Sequence, residues 1–434
     1  MAVLYAIIPD NMKRVVVTGA GAVCPNGNSL EEAWKNIRAG ITGIAQITRF
    51  NISDLRWKVA GELKDFDAGK YLSPKDINRV DAFVQYAVAA STMAAEDAGL
   101  IIKPPALSIN HEHKYRSTGV ISSNLVMLSS AGVVIGSSRG GISSLERAIT
   151  SSRHVSPYLM PSTTISMAAS YVAQHLGIKG YCMGISSACA SGTSAIGEAY
   201  RLIKAGYEDI ILCGGAEAPL CRICINGYGS SKALSRITDS SASRPFDRGR
   251  DGFVLSEGAC ILVIEEYEKA LKRGARIYGE IIGYGNTTDA FHQTVPSPEG
   301  EARAITSALN EAGLKPEDIS LISAHGTSTP WGDRVETEAL KRSLGRHAYN
   351  IPVTSIKSAS GHMLAASGSL EAALTLISMK ESVIPPTINL RERDPDCDLD
   401  CVTELREADI QYSICDSFGF GGINAVLVLS KLRV

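Results

Sequence analysis

The stretch SSACASGTSAIGEAYRLI, residues 186–203, places one cysteine, Cys189, among small residues directly before a helical pattern. The β-rich run GYCMGI precedes it, and a second such run, DIILCGGAEA, follows at 209–218. The order strand, Cys189, helix, strand is that of a βαβ unit. Small residues let a helix pack closely, and they also leave room for a substrate beside a thiol. The stretch by itself therefore predicts a strand-to-helix junction and leaves the role of the cysteine open.

Strand and helix patterns alternate along the rest of the chain as well. RVVVTGAGAV at 14–23 is a predicted strand that runs into a glycine loop, and IYGEIIGYGNTTDA at 277–290 repeats that plan. Such alternation is typical of an α/β fold. Because both halves show a similar order of strand, loop and helix, we expect an internal duplication with a seam near residues 265–275.

The composition excludes several broad classes of protein. The chain has 434 residues, 45% of them hydrophobic and 20% charged, which suits one large domain or two similar ones. Its formal net charge of −2 lacks the basic excess of a nucleic-acid-binding protein. No apolar run reaches the roughly 18–20 residues that span a bilayer. We therefore expect neither a nucleic-acid partner nor a membrane segment, and we expect the leader MAVLYAIIPDN to be too short for an export signal.

Ten cysteines are scattered along the chain. In a long chain without a secretory signal they indicate a reduced, intracellular protein. We expect a cytoplasmic location, or an organelle stroma or matrix if the source is eukaryotic. Cys221 and Cys224 form a CxxC motif, but no second pair follows at zinc spacing, which argues against a metal or redox role. The sequence predicts no metal site.

Cys189 has two interpretations. If a helix begins just after it, its sulfur lies near the positive end of the helix dipole and near unpaired backbone N–H groups. Such a position lowers the pKa of a thiol, and the same N–H groups can stabilise an oxyanion on an attacked thioester. The alternative is a buried structural cysteine at a close contact between helix and sheet. This segment alone does not decide between them.

Two histidines lie at predicted strand-to-helix junctions, each beside a glycine. His325 follows the strand ISLISA, and His362 follows the strand that contains Lys357. Ligand sites of α/β sheets collect at the carboxyl ends of strands. Neutral imidazoles there could polarise a thioester carbonyl and stabilise an enolate. Lys357 and Glu336 could balance each other's charge, although a surface ion pair would show the same residues.

The last motif along the chain is DSFGFGGIN, residues 416–424, in which glycines surround Phe418 and Phe420. Glycine brings backbone close to a ligand or permits a positive φ. An aromatic side chain between glycines can also swing. A tight hairpin turn with two core rings is the alternative.

Together these residues resemble the β-ketoacyl-[acyl-carrier-protein] synthases, and among them the synthase II type of fatty-acid synthesis. The resemblance extends from Lys13 to about Leu432. The matched motifs, in chain order, are ACASG around Cys189, SRPFDRGRDGFVLSEGA (243–259), AHGTSTPWGD around His325, IKSASGH around His362, PPTINL (385–390) and SFGFGG (417–422).

The resemblance implies a thiolase fold of two duplicated halves, with two central sheets among helices in a layered αβαβα arrangement. The implied halves are residues 12–268, which carry the cysteine, and 269–434, which carry the histidines, with 12–432 as one ketosynthase unit. A homodimer is implied, with acyl-carrier protein as the partner. No cofactor is implied, because phosphopantetheine arrives on the carrier protein.

The resemblance also implies roles for the reactive residues. Cys189 matches the nucleophile that takes the acyl chain from the carrier protein as a thioester. His325 and His362 match the pair that promotes malonyl decarboxylation and stabilises the enolate. Lys357 matches a lysine that orders this site, with Glu336 as its expected partner.

Further residues are implied in binding. The backbone N–H groups of Cys189 and Phe420 would form an oxyanion hole, and Phe420 also matches a gate between the two half-reactions. Phe418 is expected beside it in the substrate site. Thr327 and Thr329 would hydrogen-bond the phosphopantetheine arm.

Three basic residues are expected to meet the acidic carrier protein. They are Lys75, Arg79 and Lys232.

The chain departs from the family pattern at several positions. Arg139, in GSSRGG, stands where an apolar residue usually forms the floor of the acyl pocket, and a charge there disfavours a long alkyl chain. Ile423 and Ser360 each replace a usual threonine. The segment 103–130 is longer than the corresponding loop, and we expect it to extend the dimer surface or alter the pocket mouth.

The implied activity is a decarboxylative Claisen condensation that elongates an acyl group and gives 3-oxoacyl-[acyl-carrier protein]. The main alternative is a polyketide-type ketosynthase with a short or polar acyl substrate, which Arg139 favours. A non-catalytic chain-length factor would lack Cys189. A degradative thiolase would carry a cysteine where this chain has His362.

Overall fold

The computed structural model describes residues 12–101, 127–151 and 155–432. The leader before Met12 lies outside these ranges, as does the segment 103–130 as far as residue 126. The expectations for both therefore lie outside the described residues. No helix in the described ranges combines the length and apolar character needed to cross a membrane.

Fourteen strands are described. In the first half they are β1 (Val15–Val23), β2 (Ala45–Gln46), β3 (Val59–Ala60), β4 (Gly132–Gly136), β5 (Cys182–Ile185), β6 (Ile210–Glu217) and β7 (Gly258–Glu266). In the second half they are β8 (Gly279–Thr288), β9 (Leu321–Ser323), β10 (Val353–Thr354), β11 (Val383–Ile384), β12 (Arg406–Glu407), β13 (Tyr412–Gly419) and β14 (Ile423–Ser430).

Helices connect the strands. Those before β8 are α1 (Leu30–Arg38), α2 (Pro74–Ile77), α3 (Ala82–Asp97), α4 (Ile142–Thr150), α5 (Leu159–Thr163), α6 (Met167–Leu176), α7 (Ser191–Lys204), α8 (Arg222–Ser230) and α9 (Tyr267–Lys272). Those after it are α10 (Pro298–Ala312), α11 (Pro330–Leu344), α12 (Lys357–Ser360) and α13 (Ser367–Glu381). Short 3₁₀ helices cover Ala68–Lys70, Pro316–Asp318, Gly345–Asn350 and Leu364–Ala366.

The main sheet repeats one topology. Its ten strands run in the order β10-β9-β13-β14-β8-β1-β7-β6-β4-β5. Five strands of each half enter this sheet, β1, β4, β5, β6 and β7 in the first and β8, β9, β10, β13 and β14 in the second. Counted in chain order within each half, they run from the outer edge inward as third, second, fourth, fifth and first. The pairing senses also agree, because the outer three strands of each half are parallel and the inner two antiparallel. The predicted α/β class and the repeated order are confirmed.

One detail of the expected fold differs. The resemblance implied two central sheets, and the structure joins them edge to edge. Val15, Val16 and Val17 of β1 pair antiparallel with Ile281, Glu280 and Gly279 of β8. The first strands of the two halves thereby form one continuous sheet.

Helices pack in three layers around the two halves of this sheet. α3 and α6 cover the outer face of the first half, and α10 covers the outer face of the second with α11 against it. α7 and α13 lie between the halves and contact each other. Separate hydrophobic clusters fill these spaces, with Phe83 in the first, Ile196 in the middle one and Ile305 in the last. This is the expected αβαβα layering, and the start of both middle helices is where the site forms.

Candidate active site

Cys189 lies between β5 and α7, as the sequence predicts. The helix begins at Ser191 with Ala190 as its N-cap, so the thiol stands two residues before the first helical turn. Ala188, directly before it, has a φ of 51°. A non-glycine residue in this left-handed region is strained, and such strain concentrates at functional sites.

The small residues around Cys189 have a packing reason. A Cβ on Gly192 would come within 2.2 Å of the Ala365 carbonyl oxygen, and none can be accommodated there. Glycine at this position therefore lets the start of α7 touch the turn that leads into α13. That turn begins just after His362, so the same close contact brings the thiol and the histidine together. The small residues therefore serve both purposes that the sequence suggested. They let the helix pack closely, and that packing places the thiol in the site.

Cys189 and His362 occupy equivalent places in the two repeats. Each follows the third strand of its half, β5 or β10, and each precedes a helix of the middle layer. His325 follows β9, the neighbour of β10 in the sheet. The loops after these strands therefore meet between the halves.

The two histidine rings contact each other edge to face. Their centroids lie 5.4 Å apart, Phe253 packs on His362 at 5.2 Å, and Phe418 packs on His325 at 5.9 Å. Nδ1 of His362 is 3.1 Å from the Ser367 hydroxyl. Within the described residues, Nδ1 of His325 and Nε2 of His362 are buried without a hydrogen-bond partner.

Both imidazoles are neutral near pH 7. Burial lowers the pKa of each ring well below its ordinary value, and the positive charge of Lys357 lowers both further. For His325 the neighbouring His362 acts in the same direction, while a hydrogen bond to the Phe418 backbone opposes the shift. Neutral rings suit polarisation of a carbonyl, as expected from the sequence.

The expected effect of the helix start on Cys189 is wrong in its net sign. Burial raises the pKa of the thiol to about 11, although the charges of Lys357 and Arg139 and a hydrogen bond from the Phe420 backbone lower it. Desolvation of the thiolate outweighs the favourable charges. Cys189 is therefore a protonated thiol in the free protein, and its proton must leave when it is acylated.

The expected partner of Lys357 is also wrong. Its ammonium group hydrogen-bonds to Glu371 in α13, and both side chains are only 1% exposed. Glu336 instead accepts the backbone N–H groups of His325, at 2.7 Å, and Gly326, at 2.8 Å. Glu336 thus orients the histidine loop, and its carboxylate faces backbone amides where the sequence suggested an ammonium.

Asp416 shares this task. Its Oδ1 accepts the His325 N–H at 2.5 Å. Burial raises the pKa of Asp416 to about 7, with a hydrogen bond to Glu336 opposing the shift, and burial likewise raises the pKa of Glu336. Glu336 and Asp416 both accept the His325 N–H. The two carboxyl groups share one proton, because two negative charges so close together in a buried space are unfavourable.

The glycine-rich turn after β13 closes the other side of the site. Gly421 and Gly422 have φ values of 90° and 70°, which favour glycine. Asp289 fastens the turn, since its N–H donates to the Gly422 carbonyl at 2.8 Å and its Oδ1 accepts from Asn424 at 2.7 Å. The Phe420 backbone meets the Cys189 sulfur. The Phe420 N–H therefore lies beside the reactive sulfur.

A cavity of about 340 Å³ unites these groups. The hydroxyls of Thr327 and Thr329 lie 3.0 Å apart on its wall, and Thr329 also accepts the Gly332 N–H at the start of α11. Trp331, 65% exposed, marks the outer end. The sequence-derived residues on its lining are Cys189, His325, His362, Thr327, Thr329, Phe418, Phe420 and Lys232.

Besides Lys357 and Glu336, three further sequence-derived residues lie off this lining. Lys75 is exposed on α2, and Arg79 stacks on the Tyr158 ring at 4.6 Å beside a second cavity. Arg139 is absent from the lining, but its Nε donates to the Tyr228 hydroxyl at 2.8 Å, and Tyr228 does line the cavity. The guanidinium therefore reaches the site through a tyrosine.

The comparisons with known proteins agree with this geometry. The family model of the β-ketoacyl synthase N-terminal domain matches residues 12–270, and that of the C-terminal domain matches residues 278–391. The chain belongs to the β-ketoacyl synthases. A curated relative from Synechocystis sp., "3-oxoacyl-[acyl-carrier-protein] synthase 2", is 44% identical over 431 residues, which cover 97% of this chain and 99% of the relative.

Solved β-ketoacyl synthases share the fold. One from Burkholderia phymatum has a TM-score of 0.86 at 35% identity and covers 97% of this chain and 100% of its own. A type II polyketide ketosynthase in complex with its acyl-carrier protein has a TM-score of 0.85 at 31% identity, with coverage of 98% and 100%. The fold expected from the resemblance is confirmed.

Several residues at the site gave no usable sequence signal. Glu371 lies 14 residues from Lys357, a spacing without a local meaning. Phe253, which packs on His362, is an exception, because it belongs to the matched motif at 243–259. Asp289 contacts the glycine turn and Asp416 contacts the histidine loop only because the fold brings them there.

Across the described ranges, no group of three or more His, Cys, Asp or Glu side chains is placed to hold a metal ion.

Proposed function

We propose that this β-ketoacyl synthase condenses an acyl group held on Cys189 with malonyl-[acyl-carrier protein] and releases CO₂ and 3-oxoacyl-[acyl-carrier protein]. The observation that carries the proposal is the shared cavity of one thiol and two neutral histidines whose outward nitrogens have no protein partner among the described residues. The name of the Synechocystis relative supports fatty-acid elongation as the pathway.

In the first half-reaction the thiol attacks the thioester of acyl-[acyl-carrier protein]. The Cys189 proton passes to the departing pantetheine sulfur, so an acyl-Cys189 thioester and a free carrier thiol result. Lys357 and the Phe420 backbone favour the developing thiolate. The N–H groups of Cys189 and Phe420 stabilise the tetrahedral oxyanion.

In the second half-reaction malonyl-[acyl-carrier protein] loses CO₂, and the electron pair moves onto the thioester enolate. His362 donates an N–H group to that oxygen from its neutral ring. His325 donates as well in the tautomer that carries its proton on Nδ1 in place of the hydrogen bond to the Phe418 backbone. A proton on Nε2 of His362 is compatible with the Ser367 hydroxyl donating to Nδ1. The enolate attacks the acyl thioester, and Cys189 leaves as the thiolate and takes up a proton from the solvent.

The phosphopantetheine arm enters along the Thr327 and Thr329 hydroxyls, from the side of Trp331. Lys232, exposed on the same lining, supports docking of an acidic carrier protein at this end. Lys75 and Arg79 remain candidates for a wider docking surface. The polyketide ketosynthase with a bound carrier protein supports such a partner. The proposed chemistry requires no cofactor beyond the arm itself.

A polyketide-type reaction with a short or polar acyl group is the second candidate. The hydrogen bond between Arg139 and Tyr228 favours it, because it keeps a charge near the wall that an acyl chain on Cys189 would meet.

The deciding experiment supplies purified protein with a panel of acyl-[acyl-carrier protein] thioesters, with and without malonyl-[acyl-carrier protein]. We expect an acyl mass on Cys189 in the first case, and CO₂ with 3-oxoacyl-[acyl-carrier protein] in the second. Acylation without condensation would contradict the assigned half-reactions. A preference for short or oxygen-bearing chains would favour the second candidate.

A further inference from the structure

The sequence alone argued against a redox role for the CxxC motif, because the motif has no second pair, but the structure gives it a defined position at a helix start. Cys221 is the N-cap of α8, and Cys224 is the third residue of that helix. A cysteine at the N-cap, followed by another three residues later, is the Cys-X-X-Cys arrangement at a helix start in which one thiol becomes acidic. The two thiols lie close enough for each to shift the pKa of the other.

The two thiols differ in character. The hydrogen bond from Cys224 lowers the pKa of Cys221, although burial opposes the shift. The hydrogen bond to Cys221 raises the pKa of Cys224, and burial adds to it. A pair with one acidic thiol and one protonated neighbour can exchange with a disulfide, the first thiol attacking and the second resolving.

The pair also has an approach route. Cys221 lines a cavity of about 770 Å³ that is separate from the cavity of Cys189. Glu146 accepts the N–H groups of Arg222 and Ile223, at 3.2 and 2.6 Å, and so holds the first turn of α8 against that cavity. Cys221, 4% exposed, can therefore be approached from this cavity and not from the catalytic one.

On its other side the pair adjoins the catalytic thiol. Cys221, Cys224 and Tyr228 belong to one hydrophobic cluster, and Cys189 packs against that cluster. Tyr228 lies one helical turn after Cys224 and lines the Cys189 cavity.

We propose that Cys221 and Cys224 are a redox-sensitive modification site that takes a low-molecular-weight disulfide such as oxidised glutathione. The Cys221 thiolate attacks one sulfur of that disulfide and releases a glutathione thiolate, which gives a mixed disulfide. Cys224 then attacks the Cys221 sulfur, loses its proton and releases the second glutathione. The protein loses two thiols, and one glutathione disulfide becomes two thiols, so electrons and protons balance.

Trypsin makes the test sharp because it cleaves after Arg222, between the two cysteines. The folded full chain is equilibrated with mixtures of reduced and oxidised glutathione, its free thiols are alkylated, and the peptides 205–222 and 223–232 are followed by mass. We expect these peptides to become linked as the oxidised fraction rises, with loss of alkylation at both cysteines, and to separate again in excess reduced glutathione. Fragmentation assigns the link to Cys221 and excludes Cys213, which lies on the same peptide.

The chain supplies its own controls. Cys397 and Cys401 are also close in sequence and buried, at 0% and 3% exposure, but lie outside the named helices, and we expect them to stay alkylated. The Cys224→Ser variant should trap glutathione on Cys221, and the Cys182→Ser variant should leave the linkage unchanged. Full alkylation of Cys221 and Cys224 at every mixture, or a linkage that forms only in urea, would overturn the proposal. Neither result bears on the condensation reaction, since acyl transfer is measured separately.

Discussion

Lys357 and Glu371 form an ion pair in the interior of the protein, with each side chain 1% exposed. The pair holds a positive charge near Cys189 and both histidines, where it lowers the pKa of all three groups. Glu371 compensates this charge from α13, and neither side chain belongs to the cavity lining. The pair thus supplies a local field at the site, and its disruption should affect both stability and chemistry.

The Glu371→Gln variant should lose about 3–5 kcal/mol of unfolding free energy, because it leaves the Lys357 ammonium buried without its partner. The Lys357→Met variant should lose less, since burial raises the pKa of Glu371 and an isolated carboxyl can take up a proton. Urea unfolding measures both. The Glu338→Gln variant is the control, because its pair with Arg342 is half exposed and its loss should leave the midpoint unchanged. Equal losses in all three variants would contradict this assignment.

The Cys189→Ala variant should take no acyl group from acyl-[acyl-carrier protein], because the thioester forms on that sulfur alone. Intact mass after incubation with the acyl donor is the measurement. The Cys182→Ser variant, which changes an exposed cysteine in the same region, should be acylated like the parent. Any acyl mass on Cys189→Ala would remove Cys189 as the nucleophile.

Alkylation of Cys189 should depend steeply on pH. The thiolate reacts, and burial raises the pKa of this thiol to about 11, so the rate should still rise at pH values where an exposed cysteine has reached its plateau. The Lys357→Met variant should shift the profile further upward, because it removes the largest opposing charge. The readout is the alkylated fraction of the peptide 180–201 in a Cys182→Ser background. A plateau near pH 8 would contradict the predominance of desolvation.

The sequence predicted those features of the site that depend on neighbouring residues, and it missed those that depend on residues far apart in the chain. The positions of Cys189 and His362 at strand-to-helix junctions were predictable, because glycine and small residues beside a strand pattern are local signals. The partner of Lys357 was not, since Glu371 and Glu336 differ only in where α13 and α11 pack. The sign of the thiol's pKa shift was missed for a similar reason. A helix start is visible in the sequence, but the burial that raises the pKa of Cys189 is a property of the whole fold.

The two histidines should make stability depend on pH with a definite sign. Their folded pKa values lie well below the ordinary 6.5, so the unfolded chain takes up their protons first as the pH falls. Their contribution is complete above the unfolded pKa and is lost below it. The unfolding free energy of the parent relative to His362→Gln should therefore fall by about 1.4 kcal/mol for each pH unit below about 6.5. Urea unfolding of both proteins at matched pH values measures this difference, and a constant difference would contradict it.

The Arg139→Ile variant should accept longer acyl chains. Arg139 donates to the Tyr228 hydroxyl and its charge acts on Cys189, so an alkyl chain on that sulfur meets a polar wall. An apolar side chain would remove the cost of placing methylene groups beside a guanidinium. The measurement is the acyl mass on Cys189 after competition among acyl-[acyl-carrier protein] thioesters of increasing length.

Two further variants separate the charge from its anchor. Arg147→Ile makes the same change on an exposed residue of α4 and should leave the length preference unaltered. Tyr228→Phe removes the hydrogen-bond acceptor but keeps the ring and the Arg139 charge, so any extension should be smaller than for Arg139→Ile. If Arg139→Ile keeps the parental length preference while Tyr228→Phe changes it, the tyrosine hydroxyl alone sets the preference. The guanidinium then has no part in choosing the acyl group.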